Sequence, residues 1–373
     1  MEDPALVALA QSPAALIAAF LLGTLWGSFA NVCIYRWPPT PEHPHGRSVV
    51  KPGSHCGACG KPVRWYDNVP MLSWLWLRGR CRDCKTEFSA RYVLVEGLTG
   101  ALFAAAWWFA VDGRALLEPL DVRLIRFAIG AGFAFVMVVV LFIDLDHMLI
   151  LDRLTLPAMV VLYGVGLLLP ERTWPEGLVG AAVGLALVRV IADLFLLIRG
   201  RYGLGMGDGK LLAVVGALLG WKGPMVSLFL GATVAVVVTL PVMAVRSLFA
   251  SDAADGDDAE PEPPLPPPLP WAERRVALWS LAVVGAAIGL ALVGVPPWIC
   301  AVAVIVAALA DDFLGLTEPA AAGDAAADAD PAADHEADPG LDPRALPFGP
   351  FLAVAALFWW FAEPYVMFRL RHP

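Results

Sequence analysis

The chain has 373 residues, of which 58% are hydrophobic, a formal net charge of -9 and a mean hydropathy of +0.67. That composition excludes an ordinary soluble domain, and the absence of a basic stripe interleaved with aromatics excludes a nucleic-acid partner. The acidic excess sits in two low-complexity segments, so the net charge says little about the rest of the chain.

Apolar runs recur that approach or exceed the roughly 20 residues needed to cross a bilayer. They predict an all-α polytopic membrane protein in contact with lipid, with about 8–10 transmembrane helices and a small cytoplasmic zinc-ribbon-like insert. The first span is placed at 13–35. Its approach, MEDPALVALAQ, lacks the basic stretch of a cleavable signal peptide, so the span reads as permanent. Residues 1–35 form the first unit.

Residues 36–92 form the second. They carry Arg36, Arg47, Lys51, Lys61, Arg64, Arg78, Arg80, Arg82, Lys85 and Arg91 against few acids. Positive charge beside span ends stays in the cytoplasm, which puts this insert inside and the N-terminus outside. Cys56-Gly-Ala-Cys59 and Cys81-Arg-Asp-Cys84 are two C-x2-C pairs. Two such knuckles complete a tetrahedral sulfur site that suits zinc, and a closed four-sulfur site is structural. Two disulfides are the alternative, which a reducing compartment disfavours. Cys33 and Cys300 lie in apolar runs and read as packing residues.

Further spans are placed at 94–111, 124–143, 153–169, 175–198, 210–220 and 223–245, within a core unit of 93–250. The second of these runs into FIDLDHMLILD, which carries Asp144, Asp146 and Asp152. The loop RGRYGLGMGDGK then leads to Asp208. Alternating the spans puts both stretches on the cytoplasmic side. Taken singly, each acid reads as an interfacial charge, and Asp193 is another acid in an apolar span with no accompanying pattern. Taken together, Asp144 and Asp208 can form a pair sharing one proton, as in aspartic proteases. One then serves as base toward water and the other as acid toward a scissile carbonyl. A proton-coupled transporter using the same two acids, or a zinc-stabilised secretion scaffold without chemistry, are the other readings.

An acidic, proline-rich linker covers 251–272 and a second acidic linker 316–345. Their low-complexity parts, 251–270 and 318–343, are too polar to bury a core and are expected to be disordered. They bracket an inserted hairpin at 273–315, with spans 274–294 and 296–314. The last unit, 346–373, holds a span at 347–365.

Several stretches together resemble the type IV prepilin peptidase family, a group of GxGD-type intramembrane aspartic proteases. Gly27-Ser-Phe-Ala-Asn-Val-Cys-Ile-Tyr-Arg36 is similar to the family's GSFLNVVIYR opening. The double C-x2-C encloses Arg64-Trp-Tyr-Asp-Asn-Val-Pro70 and Leu72-Ser-Trp-Leu75. Arg78-Gly-Arg-Cys81 and Arg91-Tyr-Val-Leu-Val-Glu-Gly-Leu-Thr-Gly100 match further blocks, as does Pro347-Phe-Gly-Pro-Phe-Leu352. Asp144 matches the first aspartate of the family's D-x6-P-[DN] pattern, with Leu151 where the family has proline. Gly205-Met-Gly-Asp208 matches its GxGD motif.

The resemblance implies a bifunctional enzyme of the bacterial inner membrane. It implies Asp144 and Asp208 as the catalytic dyad, with Asp146 and Asp152 as accompanying acids. Cys56, Cys59, Cys81 and Cys84 match the family's zinc-binding cytoplasmic domain, linked to methyl transfer. The implied substrates are type IV prepilins or type II secretion pseudopilins, cut at the cytoplasmic face. The new N-terminal residue is then methylated from S-adenosylmethionine. The residues that bind the methyl donor are not implied; Asn31, Arg36, Glu96 and the Trp65–Pro70 stretch are the first positions to examine.

Overall fold

The computed structural model describes residues 3–113, 118–199, 204–250, 271–313 and 347–371. The disorder expected at 251–270 and 318–343, and Gly203 ahead of the GxGD motif, lie outside the described residues.

The described residues are helical, with isolated β-bridges in place of strands. A short α1 (Pro4–Ala10) precedes α2 (Pro13–Arg36). Two small turns of helix, at Trp65–Asn68 and α3 (Leu72–Trp76), punctuate the cysteine region. Then come α4 (Arg91–Trp107), extended by a π-helical turn to Asp112, α5 (Leu120–His147), α6 (Asp152–Gly166) and α7 (Trp174–Arg199). The series closes with α8 (Met206–Leu219), α9 (Lys222–Ala250), α10 (Trp271–Leu292), α11 (Pro297–Phe313) and α12 (Gly349–Arg371). Each of the ten apolar runs read from the sequence is a helix. Among the described residues, five stretches, in α2, α4, α5, α7 and α9, are long and apolar enough to cross a membrane. The short α1 was not expected; a Ser12–Pro13 break separates it from α2, where the Ser12 hydroxyl caps the longer helix.

Two helices lie at the centre of a core to which α2, α4, α6, α7 and α12 also contribute. Along α5, Phe133, Met137, Val139 and Ile143 are buried. In α8, Asp208, Gly209 and every residue from Leu211 to Leu219 are buried. A helix apolar all round belongs inside protein rather than at a lipid surface. That explains how a helix of 14 residues, shorter than a bilayer needs, is stable here. α7 holds it closely. A Cβ at Gly180 would lie 2.1 Å from the Gly216 carbonyl oxygen, and one at Gly184 would lie 2.4 Å from the Leu212 carbonyl carbon. Small residues four apart allow such backbone contact between membrane helices. α6, α9 and α12 also pack on α8, α2 pairs with α4, and α10 and α11 pack on α7.

Candidate active site

The first acid sits in the last turn of α5. Met148 ends that helix in the left-handed conformation (φ 48°) and returns its N–H to the Asp144 carbonyl. The chain then passes Ile150 and enters α6 at Asp152. The second acid is the third residue of α8, whose N-cap is Gly205. Gly207 lets α8 approach the α5–α6 turn, since a Cβ there would meet the Ile150 Cβ at 2.9 Å. The start of α12 comes in from the far end of the chain. A Cβ at Gly349 would stand 2.7 Å from Asp144 Oδ2, so any larger residue there would displace the carboxylate.

Asp144 and Asp208 are 5% and 8% exposed, and Asp144 stands near enough to act on Asp208 as a like charge. Neither has an ion pair among the described residues, and Asp144 Oδ2 is buried without a hydrogen-bond partner. Asp208 lies in the first turn of α8 and Asp144 lies against the first residue of α12. Helix starts carry partial positive charge, which tempers repulsion between two carboxylates.

The other acids of FIDLDHMLILD are committed elsewhere. Asp146 takes a two-pronged grip from Arg91, at 2.7 and 2.5 Å. Asp152 binds Lys210 at 2.8 Å. Asp193, which had no pattern in the sequence, is paired too. Arg189 Nε reaches its Oδ2 at 2.8 Å, and the Ser280 hydroxyl of α10 donates to the same oxygen. The four-residue spacing of Arg189 and Asp193 on one helix face was the available signal.

The four cysteines converge in the lobe that joins the end of α2 to the start of α4. Their Sγ atoms all lie within 4.8 Å of one another, and Cys56 and Cys84 are 3.7 Å apart. Four sulfurs about 2.3 Å from one zinc stand about 3.8 Å apart in a tetrahedron, so the donor set fits that ion. Both knuckles have the same backbone. The N–H of the first cysteine bonds the carbonyl five residues on (Cys56 to Lys61, Cys81 to Thr86). The N–H four residues on returns to that cysteine's carbonyl. The residue after the second cysteine is left-handed in each, Gly60 at φ 69° and Lys85 at φ 62°. None of the four is in a disulfide. The Thr86 hydroxyl lies 3.2 Å from Cys84 Sγ and helps draw that thiol down to about 6, toward the thiolate that ligates metal.

Comparison with known families matches residues 21–110 to the Bacterial Peptidase A24 N-terminal domain and residues 131–240 to the Type IV leader peptidase family. The chain belongs to the type IV leader peptidase family. Among its relatives, the prepilin leader peptidase/N-methyltransferase of Aeromonas salmonicida (strain A449) is 34% identical, the match covering 61% of this chain and 81% of that protein. The protein of the same name from Klebsiella pneumoniae is 37% identical over 54% of this chain and 84% of its own length. That from Myxococcus xanthus (strain DK1622) is 37% identical over 56% of this chain and 58% of its own. No solved structure matches. The four cysteines fall in the first matched stretch of this leader peptidase family member, and both buried acids fall in the second. The α10–α11 hairpin and Gly349 lie outside both.

Proposed function

We propose that the protein is a membrane aspartic endopeptidase of the bacterial inner membrane, with Asp144 and Asp208 as its catalytic dyad. It removes the leader of type IV prepilins or type II secretion pseudopilins at the cytoplasmic face and then N-methylates the new N-terminal residue. The observation that carries the reading is that two buried acids from helices far apart in the chain come near enough to interact as like charges, with no ion pair on either among the described residues.

One carboxylate takes a proton from water as the water oxygen bonds to the scissile carbonyl carbon. The other gives its proton to the carbonyl oxygen. Collapse of the tetrahedral carbon breaks the C–N bond, and the amine leaves with a proton. The apolar walls of α5 and α8 keep the number of competing waters low.

Cys56, Cys59, Cys81 and Cys84 would hold zinc, which when bound supplies a structural cross-link between the two knuckles. S-adenosylmethionine is the methyl donor that the second step calls for. The experiment is leader cleavage by purified protein. Asp144→Asn and Asp208→Asn each abolish it at normal protein level, and processing by either variant at the wild-type rate overturns the dyad. Cys81→Ser lowers zinc content, read by metal analysis; full zinc occupancy in that variant overturns the ligand assignment.

A further inference from the structure

The cysteine lobe leaves α2 after Arg36 and rejoins the helices at Arg91 of α4. Both helices are long and apolar enough to cross a membrane. Tyr35 and Tyr92 flank this end of the pair, and both are exposed. Tyrosines at the ends of spanning helices mark the level of the lipid headgroups. α3 is drawn back alongside the helix pair at that level. The Met71 N–H, just before α3, donates to Glu96 Oε2 at 2.7 Å, and the Ser28 hydroxyl bonds the same carboxylate from α2. The Met71 methyl would lie 3.7 Å from a Cβ at Gly97. From Arg91 to Glu96 the axis of α4 rises by about 8 Å, so the lobe reaches back past the helix ends.

α3 has two faces. Ser73 and Trp74 turn toward the lobe. The Ser73 hydroxyl donates to the Tyr66 carbonyl at 3.0 Å, and Trp74 Nε1 donates to the Phe88 carbonyl at 3.2 Å. Leu72, Leu75 and Trp76 have the i, i+3, i+4 spacing of the other face and are 65%, 57% and 83% exposed. Arg78 follows in a left-handed backbone, φ 52°, exposed and without an ion pair among the described residues. An apolar stripe that ends in tryptophan, with arginine beside it, is the composition of a segment lying in a membrane interface. The apolar side chains enter below the headgroups, and a long cationic side chain reaches back up to them.

We infer that α3 docks into the bilayer interface beside α2 and α4, with Leu72, Leu75 and Trp76 among the upper acyl chains and Arg78 at phospholipid phosphate. Three observations favour lipid over a protein partner. The flanking tyrosines set the level. The stripe continues onto a spanning helix, since Leu94, three residues from Gly97 on the same face of α4, is exposed too. The cation beside the stripe complements the phosphate that lies just above acyl chains. The lobe is then attached to the membrane at three places, its two helices and this stripe, which fixes its orientation over the bilayer.

The test places the full-length protein in phosphatidylcholine nanodiscs and compares it with Trp76→Phe, so that the difference in fluorescence reports Trp76 alone. That emission is blue-shifted from indole in water. It is quenched more by lipid brominated near the headgroup end of the acyl chain than by lipid brominated near the terminal methyl, as a depth of about 5–10 Å requires. Leu75→Asp weakens docking by about tenfold or more, read as loss of the Trp76 quenching at an unchanged melting temperature. A Trp76 signal like that of indole in water, unquenched by either lipid, overturns the inference. Stronger quenching by the deep bromines overturns it too, because the segment then lies within the hydrocarbon. Full quenching in Leu75→Asp, or a lower melting temperature in that variant, removes Leu75 from the lipid-facing stripe and overturns the docking face. Shielding of Trp76 from aqueous iodide without quenching by lipid, in discs holding two chains, overturns the lipid in favour of a second copy.

Discussion

Asp193 and the Asp144–Asp208 pair are all buried carboxylates in apolar helices, and the protein treats them in opposite ways. Asp193 is 1% exposed and meets both Arg189 and Ser280. Asp144 and Asp208 lie near each other and at two helix starts, with no ion pair among the described residues. A charge at membrane depth is kept either because it is neutralised locally or because its lack of a partner is useful. On the proposed function, the contrast separates a structural acid from a catalytic one without reference to sequence position. It also says something of the inserted hairpin. Ser280 belongs to α10, outside the family matches, and completes a buried cluster on α7. The same Arg189 reaches Met206 Sδ, at the start of α8, at 3.9 Å. The hairpin is thus packed into the core through a polar contact that ends two residues from Asp208.

The sharpest way to break the comparison is to neutralise one acid of each kind. Asp208→Asn is expected to cut leader cleavage by about 1,000-fold or more, the scale of removing a member of a catalytic unit. It should leave the melting temperature in detergent unchanged or slightly higher, since a like-charge contact is relieved. Asp193→Leu should do the reverse in stability. It breaks the buried Arg189–Asp193 pair, at a cost of about 3–5 kcal/mol, seen as a lower melting temperature. Equal stability losses in the two variants would erase the distinction.

The second test repairs what the first breaks. Arg189→Met combined with Asp193→Leu removes both charges and keeps most of the volume. Apolar replacement of a whole buried pair is often neutral or stabilising. The double variant should therefore recover most of the about 3–5 kcal/mol lost by Asp193→Leu alone. A double variant as unstable as the single one would mean that Asp193 contributes through packing rather than charge.

How much of this could be read in the sequence follows the same division. The ten helices were legible because apolar runs of bilayer length have few other solutions. The four-cysteine site was legible because its spacing is local, and Asp144 and Asp208 because short motifs surround them. What could not be read is pairing across distance. Nothing near Asp193 announces Ser280, 87 residues away. Nothing near Asp144 announces Gly349, whose missing side chain makes room for the carboxylate. Glu96 was named as a residue to examine, but its neutral partners Met71 and Ser28 come from two other segments. Local patterns fix which helices exist; the partners of a buried charge are fixed only by packing.

A smaller effect belongs to Ser280. Its hydroxyl is one of two donors on Asp193, so Ser280→Ala leaves the ion pair with Arg189 intact. The expected loss is about 1 kcal/mol, that of one hydrogen bond, and it should vanish in the Arg189→Met, Asp193→Leu background. Persistence of the loss there would show that Ser280 supports α10 independently of the acid.

The smallest effect on stability is expected at Lys210, and it tests whether partnership alone decides an acid's role. Lys210 binds Asp152 at 2.8 Å and 2.9 Å, but the Asp152 side chain is 53% exposed, so solvent competes for the pair. Lys210→Met should therefore cost less than about 1 kcal/mol. The pair nevertheless ties the first residue of α6 to the first turns of α8, two residues from Asp208. Loosening it lets the α5–α6 turn move relative to α8, and small misplacements of reacting groups are costly in rate. The leader-cleavage kcat should fall by roughly tenfold with KM little changed, and Lys210→Arg should restore most of it. If kcat and melting temperature instead both stay at wild-type values, the Asp152 pair is a surface ornament and the α5–α6 turn is held by Ile150 against Gly207 alone.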